Sequence, residues 1–170
     1  MEKKRIIQRL KPRATLKTAR LSEAQQRALQ NIAVNVREHG QGIGIVFTGA
    51  GYDQKIKAAE AIARETSLDL FRIDLSKVVS KFIGETEKNL KRIFAETAST
   101  GALLLFDEAD ALYGKRTEVK DSHDRFANVE INYLLQLIEA HRGGVILGLA
   151  SRETMDQAFL KRVRFIVEFG

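Results

Sequence analysis

The sequence predicts an α/β domain built on a doubly wound parallel sheet of five strands, with helices on both faces. Short and strongly apolar runs alternate along the chain with segments whose apolar residues recur at helical spacing. The five predicted strands span 43–48, 68–75, 102–106, 145–149 and 165–169. In such sheets ligands bind beyond the carboxyl ends of the strands, so the residues that follow each strand are the first candidates for function.

The helices are predicted from apolar spacing together with end signals. The first begins near Ser22, because Ser22 and Gln25 have the spacing of a capping box, and it ends at the glycine-rich stretch 40–44. Four more are predicted at 55–65, 85–97, 126–140 and 156–162. We interpret Asp124 as the N-cap of helix 126–140, since His123 beside it has no second histidine nearby with which to bind a metal.

Composition sets the broad class of the protein. The chain has 170 residues, of which 44% are hydrophobic and 29% charged, as in an ordinary globular domain. It has no cysteine, which excludes disulfides and thiolate metal sites. No apolar run approaches the roughly 18 residues that span a membrane, and no apolar signal core follows the N-terminus. We therefore expect a cytoplasmic protein that does not bind a membrane.

The positive charge is concentrated at the N-terminus. Residues 1–20 contain eight basic residues and one acid, whereas the remaining 150 residues sum to −1. This contrast predicts a basic N-terminal arm at 1–21 and a folded domain at 22–170. We interpret the arm as solvated and partly disordered, and contact with nucleic acid or acidic lipid is the alternative.

The strongest motif is an apolar strand that ends in two adjacent carboxylates, Asp107 and Glu108. A buried strand that delivers two acids is costly unless the acids have a partner. In P-loop ATPases the first acid holds the Mg²⁺ shell and the second polarises the attacking water. The alternative is a strand that leads into a solvated acidic turn.

From about residue 43 to residue 169 the chain resembles the large α/β subdomain of AAA+ ATPases. Three further segments carry the resemblance: 80–89 is similar to the first pore loop and its helix, 118–135 to a bacterial branch, and 156–165 to the stretch that ends in the arginine fingers. The resemblance implies a P-loop NTPase fold that takes ATP or ADP with Mg²⁺. It implies Gly49, Gly51 and Lys55 as nucleotide ligands, Asp107 as metal ligand, and Glu108 as a catalytic residue.

The resemblance also implies partners. Lys81, Phe82 and Ile83 correspond to the loop that grips a translocated polypeptide, whereas the alternative is that Phe82 packs on the body. Arg162 and Arg164 correspond to catalytic residues that reach a neighbouring subunit in a homo-oligomeric ring, whereas the alternative is a solvated basic strand edge. We expect the family's helical lid to be absent from this chain, which leaves a monomer if assembly needs that lid.

The phosphate-binding loop departs from the family pattern G-x-x-x-x-G-K-[ST]. Residues 49–56 read GAGYDQKI, so Gln54 replaces the last glycine and Ile56 replaces the hydroxyl that binds Mg²⁺. We expect Asp53 to cap the following helix and to occupy the amides that phosphate normally binds. The polar sensor after the fourth strand falls at Ala150, or at Ser151 if the register shifts by one.

These features leave three hypotheses. The first is a degenerate, or engineered single-domain, AAA+ core with weakened or lost ATP binding and hydrolysis. The second is an active ATPase that remodels proteins. The third is a dinucleotide-binding domain, in which Gly49-x-Gly51 follows a strand and Asp74 lies further on.

Overall fold

The computed structural model describes residues 6–49, 51–82, 84–97, 101–113, 122–154 and 157–170, with the backbone alone at 113, 122–128 and 154. In these ranges the helices are α1 (Glu23–His39), α2 (Tyr52–Thr66), α3 (Glu85–Thr97), α4 (Ser122–Ala140) and α5 (Gln157–Arg162). The strands are β1 (Ile7–Leu10), β2 (Ile43–Thr48), β3 (Leu70–Asp74), β4 (Leu103–Asp107), β5 (Gly144–Leu149) and β6 (Phe165–Glu168).

The strands form one sheet in the order β1-β3-β4-β5-β2-β6. The neighbouring pairs from β3 to β6 are parallel, and β1 pairs with β3 in the antiparallel direction. The predicted α/β class and doubly wound parallel sheet are confirmed. The sheet has six strands rather than the five expected, because an edge strand precedes the predicted domain.

The additional strand comes from the basic arm. Ile7 lies opposite Ile73 and Leu10 opposite Leu70. Leu16, a few residues further on, is buried in the core. The interpretation of this segment as a solvated arm is therefore wrong for the described residues after position 5. Apolar residues lie between the basic ones in this segment, so a count of its charges does not reveal the short strand.

The sheet separates two apolar cores. One lies between the sheet and α3 and α4, and the other between the sheet and α1 and α2. Neighbouring residues of β4 divide between them, since Leu104 and Phe106 point into the first core and Leu103 and Leu105 into the second. Helices therefore cover both faces, as predicted, and a strand buried on both faces has to be continuously apolar.

The ends of the helices test the sequence signals. The capping box of Ser22 and Gln25 is present at α1. The described part of α4 starts at Ser122, so Asp124 lies inside the helix rather than at its N-cap, and its side chain lies outside the described residues. The predicted start of the last helix, Asp156, lies outside them as well. No helix in the described ranges is both long and apolar enough to cross a membrane.

Candidate functional site

Three neighbouring strands end at the same edge of the sheet, and their ends carry the polar groups of the candidate site. Thr48 of β2 and Leu149 of β5 are partners in register. Asp107 is the last residue of β4, which lies between β3 and β5. The residues that follow these strands therefore converge at the edge where parallel sheets bind ligands.

The loop after β2 is tightly packed. Gly49 has a φ of +113°, and a Cβ atom there would lie 1.6 Å from the carbonyl oxygen of Phe169, so only glycine fits. The next residue lies outside the described residues. A Cβ atom on Gly51 would lie 2.9 Å from Oε1 of Gln54. The other end of that amide, Nε2, donates to the carbonyl oxygen of Arg20 at 3.3 Å. The Gln54 side chain thus lies over the loop and connects it to the segment before α1.

The prediction that Asp53 caps α2 is wrong. The helix begins at Tyr52, its N-cap is Gly51, and no side chain makes a cap hydrogen bond there. Asp53 is exposed in the first turn of α2, where its negative charge interacts favourably with the positive end of the helix dipole. Its side chain makes no cap hydrogen bond to the backbone amides at the start of the helix. Tyr52 and Asp53 adopt helical angles more readily than glycine does, so the helix starts three residues earlier than predicted.

Lys55 is buried beneath this loop and has a partner in the chain. Its Nζ donates to the carbonyl oxygen of Leu149 at 2.7 Å. Burial lowers the pKa of Lys55, and the nearby carboxylates of Asp110, Asp107 and Glu108 oppose that effect. The ammonium group therefore lies between a strand-end carbonyl and an acidic cluster.

Asp107 is held by an arginine that the sequence analysis did not select. Nε and Nη2 of Arg72 donate to Oδ2 of Asp107 at 3.1 and 2.7 Å. Oδ1 accepts a hydrogen bond from the backbone N–H of Glu108 at 3.0 Å. The guanidinium also lies over the ring of Tyr52, 5.1 Å from its centroid. Tyr52, Arg72 and Asp107 therefore form a continuous stack, which we call the tyrosine–arginine–aspartate stack.

Glu108 differs from Asp107 in its surroundings. It is exposed and has a φ of +56°, which is uncommon for a residue with a side chain. This turn separates the end of β4 from the short 3-10 turn Ala109–Tyr113. The structure thus places Glu108 at the strand end that the motif predicts, with its carboxylate facing solvent.

Asp110 is a second residue that the sequence analysis did not select. Its Oδ2 accepts a hydrogen bond from the backbone N–H of Ala150 at 3.0 Å. Its Oδ1 and the Oγ1 atom of Thr48 are buried and have no hydrogen-bond partner among the described residues. Asp110 therefore ties the turn after β4 to the end of β5, beside Lys55.

Ala150 lies directly after β5, at the position predicted for the polar sensor. β5 ends at Leu149, so Ala150 is the next residue, and it offers the site only its backbone N–H. Ser151, the alternative position, is exposed, and its Oγ accepts a hydrogen bond from the N–H of Glu153 at 3.2 Å. The end of β5 therefore presents backbone groups rather than a polar side chain.

The protein-family comparison decides the assignment. The family described as "ATPase family associated with various cellular activities (AAA)" matches residues 55–170. The chain belongs to this AAA family. The matched region begins at Lys55, so most of the phosphate-binding loop of this AAA domain lies outside it.

Known proteins agree with the assignment. The chain is 28% identical over 174 residues to "Uncharacterized AAA family ATPase y4kL" of Sinorhizobium fredii, which covers 96% of this chain and 52% of that protein. It is 30% identical over 131 residues to "ATPase family gene 2 protein" of Schizosaccharomyces pombe, which covers 75% of this chain and 16% of that protein. The chain thus spans about half the length of the first relative and less of the second.

A solved structure supports the AAA fold. The crystal structure of the FIGL-1 AAA domain in complex with ADP superposes on 97% of this chain and 58% of that one, with a TM-score of 0.70. Because the two chains are 19% identical, the likeness concerns the fold alone.

The segment predicted to be a pore loop is presented to solvent. Phe82 is 65% exposed, so the alternative that it packs on the body is wrong. Ser80 shapes the loop, since its Oγ accepts from the N–H of Phe82 at 3.1 Å and bonds to Glu85 at 3.0 Å. Lys81 is exposed too, and Ile83 lies outside the described residues.

The two arginines predicted to be arginine fingers contact α4 and β2. Arg162 donates to Glu139 at 2.8 Å and to Asn132 at 3.4 Å, both on α4. Arg164 is exposed, and its backbone N–H donates to Gly44. Within the described residues neither arginine has a hydrogen bond or ion pair with Lys55, Arg72 or Asp107.

Other polar groups have structural roles. Asp74 accepts a hydrogen bond from the N–H of Ser76 at 3.0 Å and caps a 3-10 turn, which leaves the dinucleotide hypothesis without an observation in its favour. In the part of the chain that the structure describes, no group of three or more His, Asp or Glu side chains is arranged to hold a metal ion.

Proposed function

We propose that this chain is an AAA core that keeps the fold but binds Mg-ATP weakly and does not hydrolyse it. It would serve as a scaffold or regulatory member of an assembly. One observation carries the proposal: the two groups that meet the nucleotide and its metal in the family are both satisfied by the chain itself. Lys55 donates to Leu149 at 2.7 Å, and Asp107 accepts from Arg72 at 2.7 Å.

The arginine supports the proposal because it brings a cation to the carboxylate that would hold Mg²⁺. A guanidinium is permanently charged and donates two hydrogen bonds to one carboxylate, so it neutralises Asp107 without a metal. The ring of Tyr52 covers the guanidinium from the loop side. Mg²⁺ would have to displace an ion pair that is already formed and largely shielded. The donor set therefore does not fit Mg²⁺, and we derive no hydrolytic step through it.

The residues of the phosphate-binding loop also support the proposal. Ile56 has no hydroxyl to offer a metal, and Gln54 fills the space above Gly51. A phosphate cradle needs converging amides and room for the ligand, which glycines normally supply. Here a side chain takes that room. The family match that begins at Lys55 is consistent with a loop that has diverged.

The active protein-remodelling ATPase remains the second candidate, and two observations favour it. Phe82 is exposed at the pore-loop position. Glu108 is exposed beside the acidic cluster, in the position of the residue that activates water. In this case Arg162 and Arg164 would complete the site of a neighbouring copy in a ring, with ATP or ADP and Mg²⁺ as cofactors and a polypeptide as substrate.

Thermal melting with and without 1 mM Mg-ATP separates the two candidates. A Kd of about 10 μM would stabilise the fold by about 2.7 kcal/mol and raise Tm by about 5–10 °C. A Kd of 1 mM or weaker adds at most about 0.4 kcal/mol, so the proposal expects less than about 2 °C. A rise of 5 °C or more, with phosphate release that Glu108→Gln abolishes, would establish the second candidate instead.

A repaired loop provides the positive arm of the same experiment. Gln54→Gly with Ile56→Thr restores both the small residue and the hydroxyl, and we expect it to gain a Mg-ATP shift of several degrees over wild type. Gln54→Gly with Ile56→Val is the matched control, because valine has the shape of threonine without its oxygen. The opposite result is a large Mg-ATP shift in the Tm of wild type that neither double variant exceeds. That result would mean that the altered loop does not weaken binding.

A further inference from the structure

We propose that a row of cations on the outer face of α2 binds the phosphate backbone of duplex nucleic acid without reading its sequence. This basic stripe consists of Lys11, Arg13 and Lys17 from the segment after β1, and of Lys57 and Arg64 from α2. All five side chains are exposed. The proposal concerns a different surface from the nucleotide site and does not depend on the proposed function.

The segment after β1 is fixed along α2. The backbone N–H of Arg13 donates to Oε1 of Glu60 at 2.9 Å. Nη1 of Arg64 donates to the carbonyl oxygen of Pro12 at 3.4 Å. Lys57, Glu60 and Arg64 are spaced three and four residues apart and so share one face of the helix. The cations of the segment and of the helix therefore belong to one surface.

Lys17 is presented by a turn that is itself anchored. The N–H of Thr15 donates to Oγ1 of Thr18 at 2.8 Å, and the N–H of Thr18 donates back to Oγ1 of Thr15 at 3.2 Å. Leu16 and Ala19 on either side of Lys17 are buried. The backbone that carries the cations is thus held before any partner arrives, which reduces the ordering entropy that binding must overcome.

The stripe is not neutralised by the protein. The ion pairs in the described residues involve Arg9, Arg72, Lys77 and Arg162, and none involves a residue of the stripe. Glu60, the acid within it, is half-buried with one oxygen on a backbone amide. Helix α3 differs from the segment after β1, because its three basic residues lie among three glutamates. Helix α2 also carries the acids Asp53 and Glu65, so the positive charge of this surface comes mainly from the segment 6–20, which has five basic residues and no acid.

The chemistry of the stripe selects its partner. No aromatic residue occurs at 6–20, and none of the described apolar side chains there is exposed. A protein partner needs apolar anchors, and single-stranded nucleic acid gains from aromatic stacking. A bilayer is held firmly when charge is combined with apolar insertion. A duplex needs only cations that follow its phosphates, so it fits this surface best.

Fluorescence anisotropy with two labelled 20-base-pair DNA duplexes of unrelated sequence tests the proposal. We expect the same micromolar Kd for both duplexes at 50 mM KCl. The slope of log K against log salt should be about −4.5, since each of the five phosphate contacts contributes about −0.9. Lys11→Gln, Arg13→Gln and Lys17→Gln combined should weaken binding at least tenfold and reduce the slope by about 2.7.

The matched control removes the same charge elsewhere. Lys88→Gln, Lys91→Gln and Arg92→Gln on α3 should change Kd by less than about threefold, because those cations lie among glutamates. Melting curves of both triple variants confirm that each remains folded. Equal loss in the two variants, no binding by wild type at 50 mM KCl, or tighter binding to phosphatidylserine vesicles than to the duplexes would each overturn the proposal.

Discussion

Replacing Arg72 by glutamine tests whether the arginine holds the carboxyl edge of the sheet together. The Arg72 side chain is 26% exposed and that of Asp107 is 12% exposed, so the pair is largely shielded from water. Glutamine removes the charge and both hydrogen bonds to Oδ2. Among the described residues, the N–H of Glu108 is then the donor that remains to Asp107.

The size of the effect follows from this geometry. A hydrogen bond to a charged group contributes about 1.5–3 kcal/mol, and removing one member of a fully buried ion pair costs about 3–5 kcal/mol. Because about a quarter of the arginine is still hydrated, we expect a loss of about 2–3 kcal/mol in the free energy of unfolding. For a domain of this size, that loss lowers Tm by about 5–10 °C.

The assay is thermal unfolding followed by circular dichroism, with Arg9→Gln as the matched control. Arg9 makes the same kind of pair with Asp69 at 2.9 Å, but its side chain is 69% exposed. Pairs of that kind contribute at most about 1 kcal/mol, so Arg9→Gln should lower Tm by about 3 °C or less. If Arg72→Gln loses no more stability than Arg9→Gln, the ion pair does not secure this edge.

Magnesium provides a second readout on the same variant. Without the guanidinium, Oδ2 of Asp107 has lost its cation, and Mg²⁺ binding to that one carboxylate should restore part of the lost Tm at 10 mM MgCl₂. Wild type should show no such gain, because the arginine already neutralises Asp107. An equal response of both proteins would contradict the idea that Arg72 acts in the place of a metal.

Two further predictions concern packing and pH. Gly49→Ala should lower the free energy of unfolding, measured with denaturant, by more than about 2 kcal/mol, because its Cβ would meet the carbonyl of Phe169. Gly84→Ala has open space around it and should cost about 1 kcal/mol in the same measurement. Burial lowers the pKa of His141 despite its hydrogen bond to the Ala102 carbonyl, so the folded state binds its proton less readily than the unfolded state. The stability contributed by neutral His141 is complete above pH 6.5 and declines as the pH falls below that value. A His141→Gln variant should therefore lose less stability than wild type between pH 7.5 and pH 5, and an equal loss would refute this.

The fold was accessible from the sequence because its signals are local and repeated. The apolar runs of β2, β4 and β5 are buried on both faces, and such strands leave a continuous apolar pattern. Helix α3 has the bounds that its spacing predicts. Strand β1 was missed because its four residues depend on pairing with β3, a contact more than sixty residues away along the chain.

The site was accessible only in part. The position of Asp107 and Glu108 follows from the strand that precedes them, and the structure confirms that placement. The contact between Arg72 and Asp107 joins neighbouring strands, so no spacing along the chain announces it. A charged residue between the apolar residues Phe71 and Ile73 was the available signal. Asp53 does not cap α2, because the helix begins at Tyr52 and Asp53 therefore lies inside it.

The two edges of the sheet have a consequence for how this domain meets other molecules. Both edge strands, Ile7–Leu10 and Phe165–Glu168, are four residues long. Each carries exposed polar or charged side chains, among them Arg9 and Glu168. Short, charged borders discourage strand-to-strand addition between molecules, which is a route to aggregation. In the described part of the chain, both sheet edges are therefore poor sites for adding a strand from another molecule.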